Sequence, residues 1–335
     1  MRDRPRGMAL ALVTAVWVLL AVDGPGPAIA QAKLKVGLPS ISMFTVVHHI
    51  AQDLGYYDRE GVQVELSHFE SGSINMKALL ARAVDVSDVE TALILGAVGN
   101  GADLRVIGTH GLGLHFALYT KKDIKDLTGL AGRTFAISGI GGLPHVVALA
   151  LLERQKVDAN KVQFVTVGGT GARLKALAAG KIDATLGEFS PVIEADPSLH
   201  RLMIISRELP LYMAQGLAVW ADTVPAKQDA LDRFQRGLIK ATRWAYDNKA
   251  EFVTTARKHL PGTPEELGKV YDFYLQARVW AMNGELDRER LAYMQELGLK
   301  TKTQQKPIDL KALAGTEPLE RVLAQLGRRE YPPTR

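Results

Sequence analysis

The sequence predicts an α/β protein made of two similar lobes, each a sheet flanked by helices. Three observations predict it. Residues 33–86 run strand, loop, helix, strand, helix, strand; the same order returns 98 positions later; and the last third is helical.

The first unit opens with a strand over Lys33–Leu38 and a loop at residues 39–42. Phe44, Val47, Ile50, Ala51 and Leu54 then recur at helical spacing until Gly55 stops the helix. Val62–Leu66 alternates as a strand does, Met76–Ala83 reads as a helix, and Val84–Val86 starts a buried strand. The segment Met76–Asp85 (MKALLARAVD) resembles Leu174–Asp183 (LKALAAGKID). Without a gap, that offset sets Ser40 against Ser138, Val64 against Val162, Asp85 against Asp183 and Glu90 against Glu188. A strand at Arg133–Ile137 and a helix at Pro144–Glu153 complete the second unit. A period this long suits paired domains, not a solenoid.

The first lobe is expected over residues 31–118, the second over 119–214, and a return to the first over 215–335. The chain is expected to cross near 119–123, after a strand at Phe116–Tyr119, and to come back with a strand at Gly216–Trp220. Helices are expected at 227–248, 249–259, 264–280 and 287–297, packed on the first lobe. The Pro-rich tail Tyr331–Pro333 has no assigned role.

Composition narrows the function. Hydrophobic residues at 47% and charged residues at 23% fit a folded globular chain of 335 residues. The net charge of +5 is spread thinly, without a Lys/Arg cluster interleaved with aromatics, so nucleic acid is not an expected partner. With no cysteine there are no disulfides, thiolate metal sites, cysteine nucleophiles or lipid-modified cysteine. Residues 1–30 read as an export signal: Arg2, Arg4 and Arg6, an apolar run Met8–Val22, a breaker Asp23–Pro27, and the small-x-small site Ala28-Ile29-Ala30. The run falls short of the ~20 residues that span a bilayer. Cleavage near Ala30 and a periplasmic location follow as expectations.

In open α/β sheets ligands bind beyond the carboxyl ends of strands. Three pairs of loops sit there. The first pair holds Ser40, Ile41, Ser42 and Phe44 in one unit, and Ser138, Gly139, Gly142 and His145 in the other. Glycines admit close backbone approach, and Pro144 suits a first helical turn beside a positive helix N-terminus. The second pair holds Ser71 and Ser73, and Thr170. The third holds Asp88 and Glu90, and Glu188 and Phe189. Two carboxylates across a cleft could do acid/base work, but the same residues serve as ligand contacts, bonds to the opposite lobe or helix caps. No catalytic residue is assigned, and neither G-x-S-x-G nor a P-loop occurs. His48, His49, His110, His115 and His145 lie near these loops without the spacing of a zinc helix; no metal and no cofactor are expected, and His115 and His145 are read as ligand donors.

Three segments carry a family resemblance. Ala51–Glu65 (AQDLGYYDREGVQVE), Ile124–Ile137 (IKDLTGLAGRTFAI) and Arg173–Ala184 (RLKALAAGKIDA) resemble patterns of the periplasmic substrate-binding proteins of ABC importers for nitrate, sulfonates, taurine and thiamine-pyrimidine precursors. The resemblance covers residues 33–260. It implies a type II periplasmic binding protein, a two-lobed clamp joined by two crossover strands. It places ligand loops on Ser40–Phe44, Ser71–Ser73, Asp88–Thr91, Ser138–His145, Thr170 and Glu188–Phe189. It further implies a monomer that captures a small polar or anionic organic molecule and delivers it to ABC importer permease subunits. An exported ligand-sensing subunit, or an enzyme of the pyrimidine-precursor type, stays open as an alternative. Ala81-Arg82-Ala83 departs from the usual Ala-Gly-Lys, in a helix turn away from the cleft, and no set of cleft arginines stands out.

Overall fold

The structure, a computed structural model, describes residues 32–332. The expected export signal, and all of the tail beyond Pro332, lie outside the described residues. No described helix is long and apolar enough to cross a membrane.

Among the described residues, ten strands form two sheets. In chain order they are β1 Ala32–Leu38, β2 Val62–His68, β3 Val86–Glu90, β4 Leu104–Val106, β5 Phe116–Thr120, β6 Thr134–Ile137, β7 Gln163–Thr166, β8 Ala184–Glu188, β9 His200–Ile204 and β10 Gln215–Trp220. The first sheet has the order β2-β1-β3-β10-β4 and the second β7-β6-β8-β5-β9. Both have one plan. The centre is parallel, with β1 between β2 and β3, and β6 between β7 and β8. One antiparallel strand follows, β10 in the first sheet and β5 in the second. Each antiparallel strand is the segment that arrives by crossing from the other lobe.

That plan corrects the expected crossing. β5 pairs with β8 and β9, so the boundary expected between 118 and 119 falls inside a strand of the second sheet. The crossovers occupy 107–115 and 205–214. β5 is buried along its whole length, and its local pattern does not show which sheet it joins.

Strand register corrects the repeat as well. Val36 of β1 faces Val86, whereas Phe135 of β6 faces Ala184. The offset is therefore 99 in the central strands and 98 in the third strands. Pro39, not Ser40, answers to Ser138, and Ser40 answers to Gly139. A strand shifted by one residue turns its other face to the core, so sheet pairing fixes this register firmly.

The helix expected at Met76–Ala83 begins earlier, at Gly72, because the Ser71 hydroxyl caps it by accepting the Ile74 N–H. The C-terminal third contains helices Gln228–Asp247, Lys249–Ala256, Pro264–Gln276 and Arg288–Lys300, with Leu310–Leu313 and Glu317–Leu326 unforeseen. The third of these stops at Gln276, short of the expected 280. Arg278 turns left-handed, and the next residues run extended beneath the first crossover. There Leu112 N–H donates to Val279, Ala281 N–H donates to His110, and Trp280 bridges Gly111. The tail also has a place: the Tyr331 hydroxyl accepts from Met282 N–H and bonds Glu285.

Candidate ligand cleft

A cavity of about 260 Å³ lies where the carboxyl ends of β1, β3, β6 and β8 meet. Loops of both lobes line it: Ser40, Ser42, Phe44, Ser71 and Glu90 from the first, Ser138, Thr170, Arg173 and Glu188 from the second. His115, at the end of the first crossover, and Gln215, at the start of β10, line it too.

The first loop is tied down by its own side chains. Thr45 Oγ1 donates to Ser40 O at 2.7 Å and accepts Ser42 N–H at 3.1 Å, while Ser42 Oγ accepts Phe44 N–H at 3.2 Å. The Phe44 carbonyl is held from beneath by Trp280 Nε1 at 3.2 Å and His110 Nε2 at 3.0 Å. The Phe44 ring stacks on His115 at 4.4 Å. This loop is fixed before any ligand arrives.

Two carboxyls meet at the cavity. Glu90, at the end of β3, is buried, and burial pushes its pKa up to about 7, with Asp88 adding to the rise. It faces the Leu143 backbone N–H of the other lobe, while its Oε2 has no partner among the described residues. Gly72 makes room for it, since a Cβ there would stand 1.5 Å from Glu90 Oε2. Glu188, at the end of β8, is also raised to about 7 by burial, against the hydrogen bond from Ser42 and the charge of Arg173.

Arg173 is buried at the first turn of the helix Thr170–Ala178. Its Nε donates to Thr185 Oγ1 at 3.0 Å, Nη1 to Gly168 O at 2.5 Å, and Nη2 to Thr170 Oγ1 at 3.2 Å and Leu186 O at 3.1 Å. Burial lowers its pKa to about 10, and Glu188 and Glu90 oppose that fall. Four of its five N–H groups serve its own lobe.

The lobes touch along the cavity rim. A Cβ on Gly139 would lie 3.3 Å from Ser73 Oγ, and one on Gly142 2.8 Å from Ser138 Oγ and 3.4 Å from Ser73 Oγ. This seam accepts only small residues.

Residues 46–252 match the family model described as NMT1/THI5 like. The chain belongs to that family. It is 24% identical to the Bacillus subtilis protein YtlA, named as a binding protein, over 75% of this chain and 77% of that one. Among solved structures, the ligand-binding component of an ABC-type import system from Staphylococcus aureus, with zinc bound, gives a TM-score of 0.70 at 14% identity, covering 87% of this chain and 99% of that one. The alkanesulfonate-binding protein SsuA from Xanthomonas axonopodis pv. citri, bound to MOPS, gives 0.68 at 17%, covering 82% and 95%. Identities this low show the fold, which is the two-lobed α/β fold of periplasmic binding proteins. The resemblance read from the three sequence segments is borne out.

In this family member the expected site residues separate into groups. Ser40, Ile41, Ser42, Phe44, Ser71, Glu90, His115, Ser138, Thr170 and Glu188 line the cavity. Ser73, Gly139 and Gly142 form the seam beside it. His145, Phe189 and Asp88 do not reach it. His145 Nδ1 accepts Gly141 N–H at 3.2 Å and its ring meets Phe164 edge-on. The Phe189 ring packs on Phe273 at 4.4 Å, while its N–H donates to His115 O at 2.9 Å. Asp88 and Glu90, two apart on β3, share a strand face, but Asp88 lies deeper and is held by two histidines.

Asp88 joins two histidines there. His48 Nε2 lies 3.0 Å and His110 Nδ1 2.5 Å from Asp88 Oδ2, and all three side chains are fully buried. Their ligand atoms fall within 4.8 Å of one another, so residue type would allow a metal. A carbonyl only accepts, so His110 Nε2, facing Phe44 O, carries hydrogen, with Nδ1 turned to Asp88. Burial lowers the pKa of His48, which keeps it neutral with Nε2–H towards Asp88 and Nδ1 towards the Tyr57 hydroxyl at 3.3 Å. Burial alone would raise Asp88, but the two histidines outweigh it and hold its pKa low.

Sequence reasoning missed Arg173 and Gln215. Arg173 opened a segment quoted for the family resemblance, at the position that answers to Asn75. Gln215 gave no signal: its place beside Glu90 depends on the antiparallel pairing of β10 with β3.

Proposed function

We propose that this protein is an extracytoplasmic solute-binding protein that encloses a small polar organic molecule between its lobes and hands it to an ABC importer. It performs no chemistry on its guest. One observation carries the reading: a cavity of about 260 Å³ whose walls come from equivalent loops of both lobes, with buried polar atoms turned towards it.

Closure follows from binding to both walls. A ligand shifts an open–closed equilibrium only by its difference in affinity for the two states, and moving it from 1:99 to 99:1 takes about 5.5 kcal/mol. A micromolar ligand has about 8 kcal/mol in all, so contacts with a single lobe do not suffice. Loaded and empty forms then differ in shape, which a permease can read.

The test is a thermal-shift screen of small polar organic molecules on the purified chain, followed by small-angle scattering with any hit. The expected outcome is a rise in Tm that keeps growing with the logarithm of ligand concentration, corresponding to about 2.7 kcal/mol of added stability at a hundredfold excess over Kd, with a smaller radius of gyration. Turnover of a hit into a new compound would replace this reading with an enzymatic one.

A further inference from the structure

We propose that protons close this clamp: Glu90 takes up a proton as the lobes meet and donates it in a hydrogen bond to Gln215, so that the empty cleft shuts in acid and opens in alkali. This rests on the solute-binding reading above, in which the lobes part, and adds a means of regulating it.

Charge is out of balance in the shut cavity. Among the described residues lining it, Glu70, Glu90 and Glu188 are acidic and Arg173 is the one basic side chain besides His115. Glu70 is exposed, so water screens it. Arg173 interacts most strongly with Glu188, which also has the Ser42 hydroxyl. Glu90 instead has Asp88 deeper on the same strand face, and that charge disfavours a second one. His115 gives no relief, since burial lowers its pKa to about 3 and keeps it neutral. The phenols of Tyr119, Tyr212 and Tyr274, set near the two carboxyls, are pushed above their usual range by burial and stay protonated. A buried carboxylate without a cation of its own is costly, and a proton removes the cost.

The orphan atoms mark where that proton goes. Glu90 Oε2 and Gln215 Oε1 are both buried without a partner among the described residues. The two residues sit directly opposite each other in the β3/β10 pair. Side chains so placed lie about 5 Å apart at Cβ, close enough for their ends to bond. A carboxylate and an amide oxygen both only accept, so they cannot bond each other. Protonated Glu90 becomes a donor, and one hydrogen then satisfies both atoms.

The lobes tie this proton to closure, because Glu90 is enclosed by both of them. Its carboxyl faces the Leu143 N–H of the second lobe and stands against Gly72 of the first. Parting the lobes takes Leu143 away and admits water, and the carboxyl then ionises in the ordinary carboxylate range. Below about pH 7 the closed form therefore binds more protons than the open form, and acid draws the equilibrium towards closure. A guest that favours the shut form and leaves Glu90 protonated gains affinity as pH falls, since guest and proton select the same state.

The experiment reads the separation of the lobes in the full chain carrying Lys77→Cys and Lys175→Cys. Both lysines are exposed, at equivalent places on the helices Gly72–Leu80 and Thr170–Ala178, and the natural chain has no cysteine to compete for label. With donor and acceptor dyes insensitive to pH, energy transfer gives the closed fraction with no ligand added. Between pH 8.5 and 6 the closed-to-open ratio is expected to rise at least tenfold, at no more than tenfold per pH unit, the limit for one proton. Glu90→Gln carries a permanent donor towards Gln215 and should stay closed throughout, with unfolding midpoints showing that it folds. A wild-type ratio that does not move, an equal slope in Glu90→Gln, or a Glu90→Gln protein that stays open overturns the proposal. Hits in the thermal-shift screen would then leave the solute-binding reading standing. One fixed separation at every pH, together with no hit in that screen, overturns both.

Discussion

Glu90 and Glu188, equivalent residues of the two lobes, reach across the cleft in opposite directions. Glu90 of the first lobe faces the Leu143 N–H of the second, and Glu188 of the second faces the Ser42 hydroxyl of the first. Both carboxyls are raised to about 7 by burial. A carboxyl whose pKa is raised on folding keeps its proton after the unfolded chain has lost it. Stability of the ligand-free chain therefore grows as pH falls from about 7 towards 4.5, and is flat above 7 as far as these groups act. The slope reaches about 1.4 kcal/mol per pH unit for Glu90, and less for the partly exposed Glu188. Denaturant unfolding at pH 7.5 and 5.5, compared between wild type and E90Q/E188Q, isolates it. Equal slopes in the two proteins would count against this pair of contacts.

Gly72 and Glu90 are predicted to couple. Gly72→Ala should cost about 1–3 kcal/mol, because the new methyl meets the Glu90 carboxylate. In a Glu90→Ala background the same change should turn neutral or favourable, since Ala outranks Gly in a helix by about 1 kcal/mol. A double-mutant cycle by chemical denaturation reads the coupling; additive costs would mean that the two do not touch.

The seam should not tolerate bulk. Gly142→Leu, or Ser138→Pro, is expected to keep the fold and remove ligand binding, because a side chain at 142 drives Ser138 and Ser73 apart. Wild-type affinity by calorimetry in the folded variants would show that the seam plays no part in enclosing the ligand.

Asp88 is expected to hold the floor by protons, not by metal. Asp88→Ala should cost about 3 kcal/mol, because it leaves two buried histidines without their shared acceptor. Dialysis against EDTA should leave the wild-type unfolding midpoint where it was. A fall in that midpoint, restored by a divalent ion, would assign the three residues to a metal instead.

Asn75 and Arg173 do the same work in different lobes. Asn75 Nδ2 donates to Asp88 O at 2.9 Å, and Arg173 Nη2 donates to Leu186 O at 3.1 Å, 98 positions on in both donor and acceptor. Arg173→Leu also takes the donor from the Gly168 carbonyl and the Thr170 hydroxyl, and leaves Thr185 Oγ1 with only the bond it donates to Ala136 O. It should cost about 2–4 kcal/mol and distort the Thr170 loop, with Asn75→Leu costing less. Urea midpoints decide the order; a smaller loss for Arg173→Leu would refute it.

Much of this was legible in the chain. Hydrophobic periodicity and the repeat placed the strands and helices of both units, and the rule that ligands gather beyond strand carboxyl ends picked out Ser42, Glu90 and Glu188. The errors share one cause, which is that they depend on pairings between distant segments. Nothing local says that Phe116–Thr120 joins the second sheet, or that Gln215 lands beside Glu90. Asp88, His145 and Phe189 look equally suited to a cleft, yet His48, Phe164 and Phe273 claim them first. Arg173 escaped notice because its equivalent is Asn75, and a change of residue type hides a shared duty.

The two crossovers are bonded to each other. Ala214 N–H donates to Leu112, Gln215 N–H to Gly111 and Leu217 N–H to Gly108, while the Thr109 hydroxyl donates to Gln215 O. With Val279–Ala281 beneath the first crossover, they form one bonded ribbon between the lobes. Under the proposed function the halves part about that ribbon, as a book opens on its spine. A substitution in it away from His115 and Gln215 would alter how often the cover lifts, with every page inside left untouched.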